Sequence, residues 1–254
     1  MKKCAAVLTS LIVLTGCQST PPEADPGSAR FNSPEVHSQP FKLKLSLGTD
    51  KGRTIPIEGA PLDSNNSESF ASAEMSLGGG FSAKHQSGKA DKWSIKYQIS
   101  GQYAETAQAG NISHAIALGY LSDQESGLVE NSSNNSPATR KDWKLDHDLI
   151  DVSWITGYRL SDELLVYGGA FYQFGEIDGA YYRTVSDGCS ESHASECTLS
   201  HFSDDGSTYG LSLSIEYAIN KHLSYSVEAI RSHSNWFNRK EKDTLVNGKV
   251  TYQF

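Results

Sequence analysis

The chain has 254 residues, a formal net charge of −8, four cysteines and 37% hydrophobic residues. This size suits a single all-β domain, and the apolar fraction is enough for a packed or lipid-facing surface. There is no basic face of the kind that grips nucleic acid. Beyond the first two dozen residues, no stretch reaches the roughly 18 continuous apolar residues of a spanning helix.

The N-terminus opens with Lys2 and Lys3, followed by an apolar core from Ala5 to Thr15 that is too short to cross a membrane. The core ends in Leu14-Thr15-Gly16-Cys17. These residues resemble the lipobox of bacterial lipoproteins. The resemblance implies that residues 1–16 are a removed signal peptide and that Cys17 is acylated as a lipid anchor. In such families a residue other than Asp after the cysteine, here Gln18, directs the protein to the outer membrane. An ordinary signal peptide is the plainer reading of the same segment. Cys4 leaves with that peptide and Cys17 takes lipid, so Cys189 and Cys197 remain in a polar stretch. An oxidising compartment would join them as a disulfide. The rival is a metal site with His193 and His201. The segment lacks the tight paired-cysteine spacing of structural zinc sites, so no metal or cofactor is expected.

Residues 17–67 have the Pro, Ser, Asn, Asp and Gly content of a disordered polar linker. Within it, Phe41-Lys42-Leu43-Lys44-Leu45-Ser46-Leu47 alternates perfectly and predicts a short strand, 41–47, outside any barrel wall. From residue 68 to 254 the period is two. Ala71, Ala73, Met75, Leu77 and Phe81 share one face of a first run. Trp93, Ile95, Tyr97 and Ile99 follow, then His114, Ile116, Leu118 and Tyr120. Ile150, Val152, Trp154 and Tyr158 form the fourth run, and Leu164, Val166, Tyr172 and Phe174 mark the fifth. The last three are Tyr209–Tyr217, Leu223–Ala229 and Val246–Phe254.

Most of these runs reach ten residues, the length of a strand that crosses a bilayer rather than the five or six of a soluble strand. Connections alternate between tight (160–163, 219–222) and long and polar (122–147, 175–205), the asymmetry of an outer-membrane barrel. The chain ends in Val250-Thr251-Tyr252-Gln253-Phe254. This resembles the terminal signature of bacterial outer-membrane proteins, and it implies recognition by the barrel-assembly machinery. The expected fold is therefore all-β: an antiparallel transmembrane β-barrel of about eight strands behind a disordered N-terminal linker. A soluble β-sandwich or lipocalin-like barrel is the alternative, and it would place polar rather than apolar residues outside.

Eight strands enclose a lumen that side chains can fill. Inward charges of both signs are expected there. Closing the last strand on the first places Lys249 beside Glu74 and Glu228, with Glu216 one strand further, as a salt-bridged network sealing the pore. The rival is a selective or gated channel. Ser232-His233-Ser234-Asn235 faintly resembles the active-site strand of the outer-membrane lipid A deacylases. Ser234 and Asn235 match in register, but Ser232 stands where that family has its catalytic His. Alternation also sends His233 and Ser234 to opposite faces, whereas a Ser–His pair needs one face. No catalytic residue is assigned. Arg140, Lys141, Trp143 and Lys144 in one long connection, and Tyr181 and Tyr182 in the other, suit contact with something outside. Asp204 and Asp205 fall short of a calcium ligand set. The expected role is structural or interactive: envelope integrity, adhesion or partner binding at the outer membrane. Its expected partners are lipid or lipopolysaccharide and an extracellular or envelope protein.

Overall fold

The computed structural model describes residues 23–24, 26–52, 55–57, 67–131, 139–183 and 198–254. Cys17 and the Cys189–Cys197 pair lie outside the described residues.

Ten antiparallel strands close into a barrel. In order around the wall they are β2 (Leu43–Lys51), β4 (Ser67–Gly78), β5 (Phe81–Ser87), β6 (Asp91–Ser100), β7 (Ile112–Asn131), β8 (Thr139–Arg159), β9 (Leu164–Arg183), β10 (Thr198–Ala218), β11 (Leu223–Trp236) and β12 (Arg239–Gln253). Pairing of β12 with β2 completes the ring, with Val250 opposite Leu47. Two short strands, β1 (Glu23–Ala24) and β3 (Ile55–Pro56), pair with each other apart from the wall.

The count of ten corrects the expected eight at two places. The 41–47 run is not a strand outside the wall. It continues to Lys51 as β2, which stands between β12 and β4. The first long run is not one strand either. Gly78, Gly79 and Gly80 take φ of 86°, 61° and 84°. Side-chain-bearing residues rarely adopt that region, so the chain reverses there and β4 pairs back on β5. Inserting β2 also separates Glu74 from Lys249, which therefore do not sit on neighbouring strands.

The outer and inner faces are opposite in character. Trp93, Ile95, Leu118, Trp154, Leu211, Leu213, Ile215 and Val250 are all exposed on the outside. Ser82, Lys84, Gln98, Ser153, Ser214, Ser226 and Glu228 are buried inside. A soluble barrel has the reverse arrangement. From Ile219 to Tyr209 the apolar belt climbs roughly ten residues, about 25 Å at the tilt usual for such strands. Trp93, Tyr120, Phe174 and Tyr209 rim it on one side, and Phe81, Tyr158, Tyr217 and Tyr252 on the other, all exposed.

The two long polar connections are largely strand. β7 and β8 stay in register from Ile112↔Tyr158 up to Asn131↔Thr139, and β9 and β10 pair up to Thr198↔Tyr182. Strands β7 to β10 are 20 or 21 residues long, whereas β4 to β6 have 7 to 12. One side of the barrel therefore stands well above the other.

Candidate functional site

Ten strands enclose a wider space than eight, and residues 26–38 fill it. The stretch with linker composition runs through the lumen, where Ala29, Arg30, Phe31, Glu35 and Val36 are all buried.

A chain without a ladder of its own must find partners for its backbone, because an unpaired buried amide or carbonyl is costly. Here wall side chains supply them. One Asp50 carboxylate oxygen accepts the amides of Ser28 at 2.7 Å and Ala29 at 2.8 Å. The Glu228 carboxylate takes the next two, Arg30 and Phe31, each at 2.8 Å. Lys84 Nζ donates to the Arg30 carbonyl and Lys96 Nζ to that of Ser33, both at 2.7 Å. Gln98 accepts the Val36 amide at 2.8 Å, and the Ser76 hydroxyl donates to the His37 carbonyl.

The threaded side chains are matched as closely. Arg30 forms a two-pronged bond with Asp151, at 2.8 and 2.5 Å, and its guanidinium lies 3.4 Å from the centre of the Phe171 ring. Glu35 pairs with Arg159 and accepts from Asn111. Phe31 meets Phe70 at 5.9 Å between ring centres, with Lys249 Nζ 5.0 Å from the Phe31 ring. Gly157 makes room for the segment, since a Cβ there would come within 2.6 Å of the Pro34 ring.

Of the four predicted lumen charges, Glu74 pairs with Lys96 at 2.7 Å and Glu228 holds the threaded backbone. Glu216 lies lower, on a mouth cavity of about 460 Å³ that Glu35, His37 and Lys42 also line. Asp50, Asp151, Arg159 and Arg30 were not singled out from the sequence. Their signal was present: Asp151 and Arg159 fall on the inward face of β8, and Arg30-Phe31 is a cation and ring isolated in a polar stretch.

The segment has a direction. Ser38 reaches the turn end, where its amide and hydroxyl donate to Glu105. Partial burial pushes the Glu105 carboxyl up, but the hydrogen bonds from Ser38 outweigh it and hold the group below the ordinary range. Ser28 lies at the other end, bonded to Asp50, Lys51 and Asn247. Beyond it, Ala24 joins an apolar core with Ile55, Ile57, Leu145, Leu149, Ile177, Tyr181 and Trp236 inside the long-strand end. The chain thus descends from the long-strand end to the turn end, then climbs again as β2.

Along β11, Ser234 faces inward and accepts from Thr208 at 3.1 Å, while His233 stacks outside on Tyr209. They do not form a pair. Phe237, at the β11–β12 turn, donates its amide to Asp204.

No protein-family model matches the chain, and no curated protein is similar to it. Two solved structures share general likeness. One is Ail, the attachment invasion locus protein of Yersinia pestis, with 10% identity and a TM-score of 0.35 over 85% of this chain and 98% of that one. The other is the outer membrane channel DcaP of Acinetobacter baumannii, with 8% identity and a TM-score of 0.26 over 85% and 96%.

Proposed function

We propose that this chain is a lipid-anchored outer-membrane barrel, sealed by its own N-terminal segment, that works through surfaces above the membrane. The exposed apolar belt supports lipid contact, because a soluble protein does not carry so large a contiguous apolar surface. Strands β7 to β10 run about 65 Å if fully extended, more than twice what the belt needs. Their upper halves stand outside the bilayer as a built scaffold for an envelope or extracellular partner, or for lipopolysaccharide. No enzymatic role is proposed.

The observation that carries this reading is the filled lumen. A transport barrel needs a water path, and here the path is taken by chain whose backbone is held by wall side chains from Ser28 to His37. Purified protein in a planar bilayer should be electrically silent, while its migration on gels shifts on boiling. Steady conductance of the wild type would sink the sealed-barrel reading.

A second reading rests on one observation. Two carboxylates, Asp50 and Glu228, hold four consecutive amides of the segment, from Ser28 to Phe31. A seat built from so few groups can be emptied, which makes a gated conduit the alternative. Conductance in a D50A/E228A variant, absent from the wild type, would favour it.

A further inference from the structure

The direction of threading has a consequence for the anchor. Short turns of outer-membrane barrels face the periplasm and the long extensions face outward. Residues 28–38 enter the lumen at the long-strand end and leave at the turn end, where Phe41 bonds Ser76 and the wall begins. The described chain therefore starts, at Glu23 and Ala24, on the outward side, with Ala24 inside the apolar core of the extensions. Cys17 precedes Glu23 by six residues (23 − 17). Six residues span at most about 20 Å. Return to the inner leaflet would need the depth of the bilayer as well, roughly 40 Å with its headgroups. The lumen between those levels is already occupied by residues 28–36, whose backbone is held by Asp50, Glu228, Lys84, Lys96 and Gln98.

We propose that the lumen is the route by which this chain places its own acylated N-terminus at the cell surface, with the lipid on Cys17 seated in the outer leaflet. The proposal rests on the outer-membrane reading and on acylation of Cys17. It makes the barrel a carrier for its own anchor. The acyl chains then add a hold on the outer leaflet to that of the apolar belt, and the segment of residues 28–38 links the two through the lumen.

The assembly order follows from the same geometry. Residues 26–41 precede β2, and β2 closes the ring against β12. On this reading the segment lies between the strands before that seam forms, because residues 28–36 are enclosed by the finished wall.

A site for a sequence-specific protease inserted after Thr20 tests this in cells fed radiolabelled palmitate. The protease cannot cross an intact outer membrane. Cleavage on intact cells should strip the label from the barrel band and leave the barrel otherwise whole. Cleavage only after permeabilisation would overturn the proposal. A companion site in the 219–222 turn should be cut only after permeabilisation; cutting there on intact cells would instead show that the barrel's orientation is reversed and overturn the outer-membrane reading beneath the proposal. A wild-type band that takes no label, like that of a Cys17→Ala control, would overturn acylation and with it the surface anchor.

Discussion

The lower and upper halves of the lumen are filled by different physics. In the lower half, fixed charged and amide side chains each aim at one or two backbone atoms of residues 28–38. In the upper half, Leu149, Leu145, Trp143, Ile177, Tyr181 and Trp236 pack as an apolar core around Ala24, Ile55 and Ile57. One strand, β8, shows the change within a few residues: Arg159 and Asp151 face inward below, Leu149, Leu145 and Trp143 above. Directional bonds specify register, and apolar packing supplies burial without register. The lower half therefore fixes where the segment sits, and the upper half stabilises the extensions that stand above the membrane.

The comparison breaks most sharply at Arg30. Asp151→Ala leaves the guanidinium buried without its two-pronged partner, an effect of about 3–5 kcal/mol. A denaturant midpoint in detergent should fall accordingly. The Arg30→Ala/Asp151→Ala double variant should recover part of the loss, because the guanidinium is no longer stranded, although Lys92, 3.9 Å from Asp151, still loses its partner. Equal losses in single and double variants would mean that the pair does not seat the segment.

Trp143→Ala tests the upper half. The indole is buried against Gly127 on β7, where a Cβ would lie 2.5 Å from it. Truncation should cost about 3 kcal/mol or more locally. If the halves are independent, protease should then cut the β7–β8 extension while the membrane-embedded part still resists heat. Loss of heat resistance as well would join the two halves into one cooperative unit.

A smaller effect is expected at the wall facing Pro34. Gly157→Ala pushes a methyl group toward the proline ring, an overpacking of about 1–3 kcal/mol. It should loosen the segment without touching any charged group, read as faster hydrogen exchange at residues 28–36. Unchanged exchange would place Pro34 elsewhere.

How much of this was legible follows the same division. The outer face could be read because lipid imposes one rule, an apolar residue at every second position. Trp93, Ile95 and Tyr97, and Leu211, Leu213 and Ile215, obey it and are exposed. The belt, the tight turns and the opposed placement of His233 and Ser234 all came from that period. The lumen could not be read in the same way. A threaded segment held by its backbone needs no side-chain pattern of its own, so Ser28-Ala29-Arg30 carries the composition of a linker. Strand β2 alternated visibly, but alternation does not reveal a neighbour, and its place between β12 and β4 is a long-range fact. The extensions were hidden for a different reason. Above the membrane both faces of a strand tolerate polar residues, so Asp146, Glu176 and Asp178 read as loop although they lie in paired strand.

Those carboxylates give the subtlest test, on the outer face. Asp148, Glu176 and Asp205 stand side by side on β8, β9 and β10, and Asp146 lies beside Asp178 in the next row. All five project outward just above the aromatic rim formed by Tyr120, Phe174 and Tyr209. Like charges across neighbouring strands repel. The Asp178 carboxylate above all, with smaller effects from Asp205 and Asp148, raises the pKa of Glu176 above the ordinary glutamate value. A carboxyl raised in the folded state binds its proton more tightly there than in the unfolded chain. Stability is then highest below the ordinary glutamate pKa and falls as pH rises through the raised one. The outer face of the apolar belt below has no such row, so this gain on acidification should be read in the extensions. Protease resistance of the β8–β9 extension should improve on mild acidification, and Glu176→Gln should give part of that gain at neutral pH. A variant as pH-sensitive as the wild type would mean that the carboxylate row does not set the stability of the upper half.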